Sequence, residues 1–372
     1  MPVSDTLHLI RDFLLPGRYE RPSIPPLDGG LAANDALDGF ATLTTEPVAE
    51  PDDVLVGLDD SVYLTSGRQV LRVVGGAVET VATLPGDAGA MALDAVGSLL
   101  VCVAGAGLFR VDTDGGESRL VTDRGSDGRP LHCLTAVTVA ADGSVYLTDG
   151  STLHSGPDWV RDLMERNAAG RLLQLDGDGG TAQVLRDGLA YPHGVALSHD
   201  GSALLVTEAW RHRIVRIPLV GGGTLQPVTG ALPGYPARIT AVDDGTYWVA
   251  FLALRTQLVE FVLTQPDFVA EMMRTIDPDY WIRPALRTLN SGLEPLQGGQ
   301  VIKLGVLKPW APPRSYGLVA RFDADGDPVE SFHSRPGGRH HGVTSVRQYG
   351  DRLLMAARGS DQVLTTKVGA RP

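Results

Sequence analysis

At 372 residues with 45 glycines and 25 prolines, the chain is too rich in turn formers for an all-helical protein, and its length suits one all-β toroid or barrel as well as two or three smaller domains. A net charge of −12 provides no basic field for a phosphate backbone, and no run of Lys and Arg with interleaved aromatics occurs, so nucleic acid is excluded as the expected partner. No segment approaches the roughly 20 apolar residues of a membrane helix, and the short apolar run at 7–15 lacks a basic leader and is broken by Arg11 and Asp12; the expectation is a soluble, cytoplasmic protein without membrane contact.

In chain order, residues 1–50 contain Pro22, Pro25 and Pro26 and read as an N-terminal lead-in and closure segment packed on the main body of the fold. From residue 51 one unit recurs: an alternating apolar strand, a turn rich in Asp and Gly, a second apolar strand, and often a third. The first strands begin near Val54, Met91, Val137, Val195, Ile239 and Val343, and third strands follow at 69–74, 107–112, 171–175 and 213–218. Asp142-Gly143, Asp200-Gly201 and Asp244-Gly245 fall where a hairpin must reverse, because Gly tolerates positive φ and Asp bonds its own backbone. Hairpins spaced by about 40 residues suit radial blades, which bury their faces against neighbours. The predicted fold is therefore an all-β, six-bladed β-propeller over 51–372.

Two stretches depart from the repeat. Asp158 is a plausible N-cap for a short helical insertion at about 158–167. The long interval before Val343 carries Phe268, Met272, Ile276, Leu286 and Leu289 at near-helical spacing, broken by Pro278 and Pro284, which predicts a helical insertion at about 266–290. Both are expected over one channel mouth, as edge cover or as a substrate lid. Cys102 and Cys133, each in apolar strand-like sequence without metal-ligand spacing, read as buried free thiols. Gly221-Gly-Gly223 lacks the helix and lysine of a phosphate loop, and no Gly-x-Ser-x-Gly elbow occurs.

The stretch from Tyr191-Pro-His-Gly-Val-Ala through Thr207-Glu-Ala-Trp-Arg-His-Arg to Ile217 resembles the strictosidine-synthase-like proteins, which belong with the gluconolactonase and regucalcin propellers. Further matching stretches are Ala141-Asp-Gly-Ser-Val-Tyr-Leu-Thr-Asp-Gly-Ser151, Tyr316-Gly-Leu-Val-Ala-Arg-Phe-Asp323 and Pro25-Pro-Leu-Asp-Gly-Gly-Leu-Ala-Ala-Asn34. The resemblance implies a six-bladed propeller with its active site at one channel mouth. For the hydrolytic relatives it implies a Ca²⁺ site of one Glu, two Asn and one Asp, positions that fall here on Asp52, Thr135, His193 and Ala237. Only Asp52 keeps a carboxylate, so tight Ca²⁺ binding is not expected. The ring-forming relative implies a glutamate near the start of the last blade's inner strand, where this chain reads Arg339-His-His-Gly-Val-Thr-Ser-Val-Arg347; His341 and Thr344 stand there instead.

Counting two residues back from the first apolar residue of each inner strand gives Asp52, Gly89, Thr135, His193, Ala237 and His341, expected to ring one end of the channel. An imidazole with an ordinary pKa near 6.5 suits proton transfer. His193 and His341 are the candidate proton donor and acceptor, with Asp52 or Glu208 orienting one of them, and Thr135, Asp149, His340, Arg238 and Trp210 are candidates for substrate contact. For His193 and Asp52, loop capping and an Asx turn are the structural alternatives. His212, between two arginines, is expected to be exposed. The function expected is that of a small-molecule enzyme of specialised metabolism using metal-independent acid/base catalysis: cyclisation, isomerisation or a lyase reaction. A lactone or ester hydrolase and a non-catalytic binding propeller are the alternatives. No cofactor is expected; were a metal bound, His193, His341 and Asp52 would suit Zn²⁺ or Fe²⁺ better than Ca²⁺.

Overall fold

The computed structural model of the chain describes residues 31–176, 179–220, 224–287, 297–303, 306–311 and 315–369. Pro22, Pro25 and Pro26, the glycines at 221–223 and the end of the expected 266–290 insertion lie outside the described residues.

Each repeat folds as a hairpin because its turn closes on itself. The carboxylates of Asp59, Asp142, Asp200 and Asp244 each accept the backbone N–H two residues on, at 3.1, 2.9, 3.1 and 3.0 Å. Gly143 and Gly201 supply the positive φ, 88° and 65°, that these reversals need. The strands after the turns are buried on both faces: every residue of Leu99–Val103 and of Ala203–Glu208 is buried. Strands without a polar face must be covered on both sides, and stacking the hairpins radially covers them.

The result is a six-bladed β-propeller of six four-stranded antiparallel sheets. The innermost strands are Pro51–Val56, Ala88–Leu93, Leu134–Val139, Pro192–Leu197, Gly234–Ala241 and Val343–Tyr349, and each contacts the next in a closed ring. The sixth sheet is completed by Ala41–Thr42, which pairs with Gln362–Lys367, so that a segment preceding the first blade closes the ring within the sheet of the sixth. Ahead of it the 3₁₀ turn Ala36–Gly39 is fastened to the fifth blade, where Asp38 accepts from Ser334 Oγ at 2.7 Å.

Both insertions are present, with different limits from those expected. The first is a helix, α1 (Trp159–Met164), shorter than 158–167; Asp158 precedes it but makes no side-chain cap. The second begins earlier than 266, with α2 (Gln257–Leu263), whose N-cap Thr256 accepts from Val259 N at 3.3 Å, and continues as α3 (Pro266–Thr275). Helix α3 stops where Pro278 cannot continue it, and residues 281–287 are not helical, so the expected helix through Leu286 is corrected. A hairpin of Gln297–Lys303 and Val306–Ala311 comes next within the same insertion. Leu163 and Met164 of α1, Val262 of α2 and Val269 and Met272 of α3 share one core with Tyr235 and Leu252, which binds both insertions to the fifth blade. Among the described residues no helix is long and apolar enough to cross a membrane. Cys102 and Cys133 are buried and free.

Candidate functional site

A cavity of about 530 Å³ opens at the channel mouth, and its floor takes one side-chain position from each blade: Asp52, Gly89, Thr135, His193, Arg238 and Thr344. The backbone explains the convergence. The pairing of every inner strand slips near its start, between Pro51 and Val54, Ala88 and Met91, Leu134 and Ala136, Pro192 and Gly194, Pro236 and Ile239, and Val343 and Ser345. Each floor residue lies inside its slip. A bulged residue has no partner opposite and is re-aimed, here into the channel.

The same slips correct two members of the expected ring. Val54, Met91, Val137 and Val195 each stand three residues after the start of their strand, whereas Val343 is itself a start. Val343 therefore corresponds to Pro51, not to Val54, and the sixth blade presents Thr344 in place of His341. The fifth blade slips a second time, between Gly234 and Pro236; Ala237 is fully buried in the core shared with Tyr235 and Trp248, and Arg238 enters the cavity in its place.

The floor is charged and tightly paired. Arg238, buried, crosses the channel and binds the Asp52 carboxylate through Nη2, while its Nη1 donates to the Asp52 carbonyl at 2.6 Å. Arg358 reaches the same carboxylate at 3.0 Å and Glu50 at 3.2 Å. Burial opposes ionisation of Asp52, but the two guanidiniums overcome it and hold the carboxyl below the usual carboxylate range. For His193, burial and then the charge of Arg238 push the imidazole down to about 3, against the opposing pull of Asp52. His193 is therefore neutral at physiological pH, and its Nδ1 is buried without a partner. Tyr191, at a positive φ of 52°, meets His193 edge-on at 5.7 Å and stacks on Trp210 at 4.3 Å. Trp159 of α1, Leu252 and Leu286 give the cavity an apolar wall above the polar floor.

Of the residues singled out from sequence, Asp52, Thr135, His193 and Arg238 come together in this cavity. Thr135 donates to the Pro192 carbonyl at 2.6 Å and so positions the strand bearing His193. His341 does not line the cavity: its Nε2–H donates to the Arg335 carbonyl at 3.2 Å and its Nδ1 accepts from Ser315 Oγ at 2.8 Å. A set of His193, His341 and Asp52 for Zn²⁺ or Fe²⁺ is not assembled, and His340 is buried beside His341, away from the lining. Glu208 does not orient His193; fully buried, it accepts from Ala190 N at 2.9 Å, from Arg211 at 2.6 Å and from Arg213 Nε at 2.6 Å. Asp149 is likewise structural, fully buried against Arg171 Nε at 3.1 Å and Cys133 N at 3.2 Å. Trp210 backs Tyr191 without lining the cavity and donates to Asp162 at 2.7 Å. His212 is buried, not exposed, because its αL backbone (φ 49°) turns the ring inward, where Nδ1–H donates to the Gly234 carbonyl at 3.2 Å. Tyr191, Trp159 and Arg358 were missed. A repeat comparison could have found Arg358: Arg358–Ser360 and Ala209–Arg211 are the same 3₁₀ turn at the same hairpin tip of blades six and four.

Closed ring, bulged inner strands and a cavity at one mouth define the class: a six-bladed propeller with a cavity on its axis. Residues 135–220 match the family described as strictosidine synthase. Strictosidine synthase-like 13 of Arabidopsis thaliana is 28% identical over 243 residues, 65% of this chain and 54% of that protein. The adipocyte plasma membrane-associated protein of Danio rerio is 29% identical over 266 residues, 70% of this chain and 58% of that one. The chain thus spans a little over half the length of these curated relatives. A gluconolactonase structure from Xanthomonas campestris aligns with a TM-score of 0.59 at 17% identity, over 88% of each chain. The calcium-binding protein regucalcin of Agrobacterium tumefaciens aligns with a TM-score of 0.55 at 16% identity, over 90% of this chain and 97% of that one. The chain is similar in sequence to strictosidine synthase-like proteins, and its six-bladed fold is similar to that of these propellers.

The calcium site that the resemblance to the hydrolytic propellers implies does not fit this floor. A hard divalent ion needs six or more oxygens, with carboxylates free to turn to it. Asp52 is the only carboxylate among the six floor positions, both its oxygens are held by guanidiniums, and Thr135 and His193 add a hydroxyl and a nitrogen.

Proposed function

We propose that the mouth cavity binds a small organic molecule and transforms it by proton transfer through His193, without a bound metal. The observation that carries this reading is the unpartnered imidazole on a floor whose Asp52 and Arg238 are fastened by ion pairs and whose Thr135 and Thr344 are fastened by hydrogen bonds. Asp52 is committed to Arg238 and Arg358, so it serves as an anchor and not as a base. A proton taken by His193 is held weakly, because burial penalises the imidazolium, and is returned within the same turnover. Arg358, partly exposed at the rim, faces negative charge developing on the substrate. The apolar wall of Trp159, Leu252 and Leu286 suits a largely hydrocarbon skeleton, and a volume of about 530 Å³ falls within the range of small-molecule sites. These features favour cyclisation, isomerisation or a lyase reaction over metal-assisted hydrolysis.

The test is product mass. Purified protein is incubated with fractionated metabolites and with a panel of lactones and aryl esters, and substrate–product pairs are read by mass spectrometry. An unchanged mass, or fragmentation without added water, fits the proposal; gain of one water identifies a hydrolase; saturable binding without turnover identifies a binding propeller.

A further inference from the structure

The floor contains a cation that the chain itself supplies. Arg238 leaves the fifth blade and reaches the Asp52 carboxylate and carbonyl of the first and, at 3.5 Å, the Thr344 carbonyl of the sixth. Three oxygens from two blades thus converge on one guanidinium on the propeller axis. Together Arg238 and Arg358 place two positive charges on Asp52, the charge of one divalent ion. Arg238 also lines a second cavity of about 230 Å³ on its far side, with Arg347, so the guanidinium stands between the mouth and the rest of the channel.

We infer that Arg238, assisted by Arg358, takes the seat and the structural task of a bound cation: it fastens blade one to blades five and six across the axis and plugs the channel below the mouth cavity. This holds whatever reaction the cavity performs. A tethered cation cannot be chelated or exchanged. Neutralising it strands a buried carboxylate beside two carbonyls, an oxygen set that a hard cation could use.

The experiment is thermal unfolding with calcium chloride or EDTA. The wild-type transition is expected to move by less than about 1 °C with either, because its seat is filled. Arg238→Met should lower it by about 5 °C or more, while Arg238→Lys, which keeps the charge, should retain most of what Arg238→Met loses. The double variant Arg238→Asn with Arg358→Asn should lose stability and regain at least half of it at about 10 mM calcium, and the further change Asp52→Asn should abolish the regain. A wild-type transition raised by calcium overturns the inference, as do equal losses in Arg238→Met and Arg238→Lys, or a double variant indifferent to calcium.

Discussion

His193 and His341 were equivalent as sequence positions, and the structure separates them. His193→Ala should lower kcat/KM by about 10²-fold to 10⁴-fold with an unchanged melting transition. His341→Gln, whose ring lies outside the cavity between Ser315 and the Arg335 carbonyl, should stay within about threefold of wild type in turnover. The acid limb of the pH–rate profile adds a check. Because the His193 pKa is lowered to about 3, the neutral form persists through pH 6.5, and activity should fall only as pH approaches the lowered value. A limb centred near 6.5 would assign the proton transfer to another group. Glu208 makes the opposite prediction. Glu208→Ala leaves Arg211, Arg213 and the Ala190 N–H without their acceptor; it should cost about 2–3 kcal/mol in urea unfolding, with kcat unchanged in the folded fraction.

At the scale of elements, the slipped start of each inner strand is the device that makes a site from a repeat. The bulge takes one residue out of the ladder without disturbing the strand beyond it, so that position varies freely as Asp, Gly, Thr, His, Arg and Thr around the ring. The insertions are held from beneath by a buried knot: Glu260 of α2 accepts from Tyr235 at 2.8 Å and from Arg255 at 2.7 Å, with His212 at 3.6 Å. His212→Ala should therefore loosen α2 and α3 over the mouth, measured as faster amide exchange in 257–275, and not pass silently as an exposed substitution would. Thr256→Ala, which removes the N-cap of α2, should act in the same direction at about 1 kcal/mol.

For the whole molecule, acid is the stress to which this fold is exposed. His193 is lowered to about 3, and His212 and His333 to about 4, in each case mainly by burial. The unfolded chain takes up these protons once pH falls below about 6.5 while the folded chain does not, so the stability present above that pH is lost between 6.5 and the lowered values. Asp52 and Asp53, held below the carboxylate range by their arginines in spite of burial, lose their contribution further into the acid range. Urea midpoints measured from pH 7 to pH 4 should fall steadily, and less so in a His212→Gln, His333→Gln variant.

The sequence by itself determined the propeller, because its information is local and repeated: Asp-Gly reversals and apolar alternation each depend on neighbours a few residues away. It also determined that Asp52, Thr135 and His193 share one end of the channel, since counting from a repeated strand carries over wherever the repeat is regular. Tertiary structure alone decided the rest. The inward turn of Arg238 and the replacement of His341 by Thr344 follow from backbone slips, which leave no mark in an apolar pattern. The same Asp, Glu or His can be a free catalyst or a bound strut, and the difference lies in which arginine, carbonyl or amide the folded backbone sets against it: Arg171 of the neighbouring strand against Asp149, Arg213 of the neighbouring strand against Glu208, the Arg335 carbonyl against His341. His193 is left with a free ring because no blade brings Nδ1 a partner, a fact that exists only once the ring is closed.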